Sequence, residues 1–398
     1  MRWLFADPAN PQEMARRNQV FGAIDNWWRA FQGKTTDLAA LFRRKSEWDL
    51  VQWMHDYLGA IDPRLMWEYG PARSQEGHRL VITPEAERWL RPVVRSLLER
   101  APKIAGWEFY PHRLPEDVPH TIMTVEARVG VNITGAMVAA SAAPGRKVDL
   151  WFDYPQQSLN EETARGAAFV ASETLMGEYV LDTWIGGISL LADSPEAKLR
   201  PLPMDRAQAT VGALVRSLGE QLPATRLADR AAQEEQVQLV QLEPGEETAG
   251  DYPARDDLVF AQVLDMELLR NAQSGLIFTS SCHSRCGELF CYVKIDAGEV
   301  PSGERVAWRS AMEDALKPAL LTANIGGCIG GGTGLRYSYI DLALTDLNTA
   351  VPIIRRVLTE RRAPVRTWLL FFDDELSREW IGIYASTPAP PMPAEESS

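Results

Sequence analysis

The segment SSCHSRCGELFC, residues 280–291, places three thiols and an imidazole close together in the chain. Thiolate and imidazole are ligands of tetrahedral zinc, so Cys282, His283, Cys286 and Cys291 are the metal candidates. Their spacing argues against zinc, because no paired CxxC knuckles frame them. Cys291 shares a strand-like alternation with Val293 and Ile295, which directs it into a core where free cysteine is a common occupant. As a nucleophile, Cys282 or Cys286 would need a cation to stabilise its thiolate, and His283 or Arg285 is near enough in sequence to be considered. His283 and Arg285 also make this loop a candidate contact surface.

The second cluster is IGGCIGGGTGLRYSYIDLAL, residues 325–344. A phosphate-binding glycine loop needs a strand leading in and a helix N-terminus leading out, so that free N–H groups and the helix dipole meet the anion. Here the order is reversed: helical periodicity leads in, a strand alternation leads out, and no Gly-Lys-Ser/Thr ending follows. The reading is a helix C-terminus and a flexible turn in which glycine supplies positive φ. The strand that follows offers Arg336, Tyr339 and Asp341 as the lining of a small-molecule pocket. Asp341 lies between Ile340 and Leu342, so it is expected to be partly buried and to need a donor such as Arg336 or a tyrosine. Asp373, Asp374 and Glu375 could hold Mg²⁺ or act as acid and base, but FFDDELSREW reads more simply as a turn. The histidines at 55, 78, 112 and 120 form no HxH, HExxH or Ser-His-Asp pattern. No cofactor is called for.

These residues need elements to carry them. Apolar residues at three-and-four spacing over 12–60, including Trp27, Trp28, Phe31 and Trp53, predict two helices packed as an antiparallel pair. LMWEYG and HRLVIT read as strands, the second running into Thr83-Pro84-Glu85 as a helix start, with Pro92 interrupting or restarting that helix. GWEFYPHRL, TIMTVEARV, MVAASAA and KVDLWFDYP read as strands, the last two joined by a Pro144-Gly145 turn. Asn160 caps a helix to about 175, and YVLDTWIGGISLLA closes the unit as a strand. Residues 196–256 read as a connector with one helix. LVFAQVLD, GLIFTSS, LFCYVKIDA, LRYSYIDLAL, RTWLLFFDD and EWIGIYA are strand candidates in the C-terminal half, with helices over about 304–321 and 349–360. The core order there is β-α-β-β-α-β.

The expected fold class is therefore α+β: two α/β sandwiches, the C-terminal one ferredoxin-like, the N-terminal one preceded by the helical pair. The domains run 1–195, 257–385, with the connector between them and a disordered Pro-rich tail at 386–398.

Composition bounds the function. The 398 residues are 45% hydrophobic with 13 Trp, enough apolar surface for real cores. A formal charge of -13 argues against a nucleic-acid surface, which needs clustered Lys and Arg, and makes a basic partner easier to accept. The sequence holds no run of about 20 apolar residues and no signal-peptide core at its start, so the chain reads as cytoplasmic without membrane contact, with its four cysteines reduced.

LVITPEAERWLRPVVRSLLERAPKIAGWEFYPHRLP followed by MGEYVLDTWIGGISLL resembles a widespread family of uncharacterised bacterial proteins over about residues 20–195. That pattern joins a Leu-Val-Ile-Thr/Ser strand, a helix with Pro-x-Val, an Ala-Pro then Gly-Trp step, and a Gly-Glu-Tyr segment. The resemblance implies a bacterial origin and a fold, and its motifs are structural, not catalytic. The second half resembles the small ferredoxin-like regulators of ribonuclease E, an architectural likeness. The leading expectation is a non-enzymatic protein that binds another macromolecule, an unknown protein partner, as regulator, adaptor or immunity-type inhibitor. The alternatives are a small-molecule sensor or enzyme with a pocket beside the glycine stretch, and a homo-oligomeric structural protein whose sheet edge pairs with its copy in a homodimer.

Overall fold

A computed structural model describes residues 2–43, 45, 47–155, 159–194, 199–233 and 237–392. The chain is α+β and forms two compact units, one of residues 1–135 and 156–182, the other of 136–155 and 183–398.

The first unit opens with helix α1 (Pro11–Phe42), whose start is set by Asn10: its side chain accepts from the N–H groups of Gln12 and Glu13, with Pro11 at the first turn. The first helix runs without a break to Phe42, and α2 (Leu50–Tyr57) is the shorter of the two. A three-stranded sheet follows, with β1 (Met66–Pro71) antiparallel to β2 (His78–Thr83) and β3 (Trp107–Tyr110) parallel to β2. The buried face of α1 supplies Ile24, Trp27, Trp28 and Phe31 to a core shared with Leu80, Ile82 and Trp107. Helix α3 (Arg91–Glu99) begins later than Thr83 implies, because Thr83 ends β2 and a short 3-10 turn intervenes before Pro92 opens the helix.

Two readings fail in this unit. TIMTVEARV is helix, part of α4 (Val118–Val129): Asp117 caps it by accepting from the His120 N–H, and Thr121 and Val125 bury one face four residues apart. Local capping outweighs the β-branched composition. Asn160 does cap α5 (Glu161–Met176). YVLDTWIGGISLLA then splits into α6 (Glu178–Trp184) and a strand of the second unit.

The second unit takes the hairpin of β4 (Met137–Ala143) and β5 (Lys147–Asp153), turned by Gly145 and Arg146 at positive φ. With β6 (Ile185–Leu190) and β7 (Leu202–Pro203) they form a sheet ordered β6-β5-β4-β7, in which β6 is parallel to β5. Helix α7 (Met204–Gln221) packs on β4 and β5. This pairing is why the division at 195 differs from the compact units, and why 196–256 is not a separate connector. Helix α8 (Leu227–Ala232) and β8 (Gln238–Gln241) also belong to the second unit.

Next come β9 (Leu258–Val263), α9 (Met266–Gln273), β10 (Leu289–Asp296), α10 (Arg305–Thr322), β11 (Gly326–Gly334), β12 (Tyr337–Leu344), α11 (Leu347–Glu360), β13 (Thr367–Phe371) and β14 (Ile381–Gly382). The seven-stranded sheet is ordered β14-β13-β10-β12-β11-β9-β8 and antiparallel at every neighbouring pair. GLIFTSS is not a strand, and EWIGIYA contributes only the two residues of β14. The glycine stretch is no turn: it is β11, buried in the sheet. Residues 386–392 of the expected tail are described. Trp368 Nε1 donates to the Pro388 carbonyl at 2.6 Å, and Thr387 is buried. The remainder, 393–398, lies outside the described residues. Among the described residues no helix is long and apolar enough to cross a membrane.

Candidate binding site

The alternation of a strand assigns the residues of β10, β12 and β13 to two faces. Cys291 stands opposite Leu342, which is opposite Cys328, and Cys328 Sγ lies 4.0 Å from the Glu313 carbonyl of α10. That face is therefore the helical one. On the other face Tyr292 stands opposite Asp341 and Leu370, and Lys294 opposite Tyr339 and Trp368.

The glycines of β11 explain what covers this second face. A Cβ at Gly332 would come within 2.3 Å of Leu258 Cδ1, and one at Gly334 within 2.3 Å of the Asp257 carboxylate. The absence of side chains lets residues 257–258 lie directly on the strand. It is close backbone approach, not anion capture, that requires glycine here. Asp257, fully buried, accepts from the N–H groups of Arg336 (2.8 Å) and Tyr337 (2.7 Å) and from the Tyr339 hydroxyl.

Two residues before Asp257 comes Arg255. Its Nη1 donates to Asp341 Oδ1 at 2.9 Å, with both side chains about nine-tenths shielded. Burial raises the Asp341 carboxyl, and Arg255 pulls it partly back. The guanidinium carbon lies 5.1 Å from the Phe372 ring centroid and 5.3 Å from those of Tyr292 and Tyr339, within cation–π range. Its Nε and Nη2 are buried and have no hydrogen-bond partner. Arg255 also lines a cavity of about 490 Å³. Tyr292 and Leu370 form its sheet floor, Phe278 and Phe372 contribute aromatic walls, Pro390 to Met392 close one side, and Glu243 and Asp256 stand at the exposed margin.

The expected site residues are only partly assembled. Asp341 is bonded to Arg255, a residue of the cavity lining, and not to Arg336. The Arg336 side chain turns to Asp296, with Nη2 to Oδ2 at 3.0 Å. Tyr339 contacts the cavity arginine through its ring and bonds Asp257 through its hydroxyl. Asp373 turns back into the fold, accepting from the Ser280 N–H at 2.7 Å and from its hydroxyl, and burial raises it to about 6.

The Cys/His loop disperses. Cys282 Sγ donates to the Thr183 carbonyl at 3.2 Å, Cys286 Sγ approaches the Ala224 carbonyl at 3.5 Å, and Cys291 sits on the helical face. His283 is wholly buried, with Nδ1 2.8 Å from Arg146 and Nε2 2.9 Å from Asn271 Oδ1, while Arg285 is exposed. Among the described residues no group of three or more His, Cys, Asp or Glu is placed to hold a metal ion. Burial pushes the Cys282 thiol up to about 11 and raises Cys291 and Cys328 as well, the reverse of an activated nucleophile. Native protein should therefore expose one thiol, the half-buried Cys286, to a disulfide reagent, and all four after denaturation. Two or more fast thiols in the native state would contradict this burial.

Sequence reasoning missed Arg255 because it sat in the presumed connector. It also missed Lys294, whose Nζ donates to the Tyr252 carbonyl at 2.5 Å and stands 4.0 Å from the Tyr337 ring centroid. Burial lowers Lys294 to about 8, although Asp257, Asp251 and Asp256 oppose the shift. The available signal was Asp341 itself: a buried carboxylate must find a cation, and that cation lies outside its own strand.

Comparison of the chain with known protein families, with characterised proteins and with solved structures finds no match.

Proposed function

We propose that the chain is a non-enzymatic binding protein, of the regulator, adaptor or immunity-inhibitor kind, and that the cavity of the second unit receives its ligand. One observation carries this reading: a buried arginine with unmet donors stands in the wall of an aromatic cavity. Such pockets, mostly apolar with few polar groups, are the usual form of a ligand site. The thiols around the sheet are raised and His283 is lowered to about 3, which suits structure better than nucleophilic or acid–base chemistry.

The finer fold assignment belongs to the same reading. Residues 289–371 are taken as a ferredoxin-like β-α-β-β-α-β core, supported by the order β13-β10-β12-β11 with each adjacent pair antiparallel. The proposed kinship with an uncharacterised bacterial family, and with ferredoxin-like regulators in the second half, agrees with binding. The fold by itself selects no function.

The test is a ligand screen by saturation-transfer NMR on the full chain, using small aromatic, aliphatic, cationic and carboxylated compounds, repeated on Ala272→Trp. Ala272 lines the cavity and is half-buried, so the indole fills the space. Binding to the wild type that weakens at least tenfold in the variant is the expected result. Hits that survive Ala272→Trp unchanged, or no hits at all, would overturn the site.

A further inference from the structure

Arginine presents its donors in a planar fork. The Nε–H and one Nη2–H point in parallel along one edge, matched to the two oxygens of a carboxylate. In Arg255 Asp341 takes Nη1, at the opposite side of the guanidinium, and leaves that edge without a partner. Buried donors are ordinarily satisfied, and one left bare carries the uncompensated cost of its desolvation. The three rings around the guanidinium offer it only their faces, which satisfy a cation far less fully than an oxygen acceptor does. The floor and walls supplied by Tyr292, Leu370, Phe278 and Phe372 call for an apolar body next to the acceptor.

The geometry points to a ligand that carries a carboxylate on an apolar or aromatic group, its two oxygens seated on the Nε/Nη2 edge of Arg255 and its apolar part against Tyr292, Phe372 and Leu370. This inference rests on the cavity being the ligand site. Two sources share the chemistry: a free organic acid, and the C-terminal carboxylate of a partner chain ending in an apolar residue. Asp341 stays in place as the counter-charge on Nη1, so a bound carboxylate completes the arginine's hydrogen bonds rather than replacing one.

The experiment is isothermal titration of the full chain with N-acetyl-phenylalanine, its primary amide, phenethylamine, and a tetrapeptide ending in phenylalanine with a free carboxylate. The acid should bind at least tenfold more tightly than the amide, and the amine should not compete. Arg255→Lys keeps a cation for Asp341 but loses the fork, and should weaken the acid about tenfold while leaving the amide unchanged. If that variant fails to fold, the acid-to-amide ratio on the wild type decides alone. Equal binding of acid and amide, preference for the amine drawn by Glu243 and Asp256, or no binding of the acid at millimolar concentration would each overturn the inference. Sensitivity to Ala272→Trp without acid preference sinks the carboxylate but leaves the cavity. Acid preference that ignores Ala272→Trp sinks both. A tetrapeptide tighter than N-acetyl-phenylalanine assigns the carboxylate to a chain terminus, and equal affinity assigns it to a free acid.

Discussion

Replacing Glu178 by alanine is expected to cost the first unit about 3 kcal/mol of stability, the low end of what removing one member of a buried ion pair costs. Glu178 is 3% exposed. Its Oε1 accepts from Arg91 Nη2 at 2.6 Å and from the Thr83 hydroxyl at 2.5 Å, and its Oε2 accepts from the Arg113 N–H at 3.0 Å. Burial alone would raise its carboxyl, but Arg91, Thr83 and Arg113 outweigh burial and hold it below the ordinary glutamate value. Alanine leaves the Thr83 hydroxyl and the Arg113 amide without this acceptor and removes one of the two carboxylates that face the buried Arg91 guanidinium. The loss stays near the low end because Asp182 still accepts from Arg91 at 3.0 Å. Hydrogen exchange over β2, which ends at Thr83, reads the effect directly. A loss below 1 kcal/mol would show that Asp182 carries the arginine by itself, and the double variant with Asp182→Ala would then be the more damaging by far.

The second large effect is set by acidity. His283 is buried between Arg146 and Asn271, and burial with the Arg146 charge lowers it to about 3, although Asp265 opposes that shift. Its unfolded value is near 6.5. Between those limits the unfolded chain binds a proton that the folded chain refuses, so the stability of the second unit falls as pH falls, by about 1.4 kcal/mol per pH unit from this residue. Other carboxylates add acid lability of their own, so the measurement is a difference. His283→Gln should be less stable than the wild type at pH 7, and the gap should close at that slope between pH 6.5 and 3. A gap independent of pH would mean that His283 titrates normally and is not neutral in the fold.

Much of the architecture was legible. Asn160 and the Pro144-Gly145 turn each carry a local stereochemical requirement, and each appears where the residues ask for it. The central strands and the two helices between them follow from periodicity. Residues 121–129 were misread because β-branched residues outweighed the Asp117 cap, and the glycines of β11 because a residue without a side chain shows no alternation to read. The need for glycine at 332 and 334 lies with Leu258 and Asp257, far earlier in the chain. The candidate site suffered for the same reason. Asp341 was recognised as a buried acid wanting a cation, but the cation came from a polar stretch whose composition suggests only a linker.

The hairpin of β4 and β5 has a consequence for synthesis. As the chain emerges from the ribosome, residues 1–135 cannot complete their unit, because α5 and Glu178 arrive only after the hairpin, and the hairpin must wait for β6, β7 and α7. Lys147, fully buried, donates to the Thr183 and Ile277 carbonyls, the second of them 130 residues later. An ammonium and a strand edge are thus exposed until most of the protein is made. A chain cut at residue 195 and released would hold the residues of the first unit with the hairpin and β6 attached and lacking α7, a species prone to pairing with its neighbours. Vectorial assembly here favours a chain finished quickly, before the exposed hairpin pairs with a neighbour.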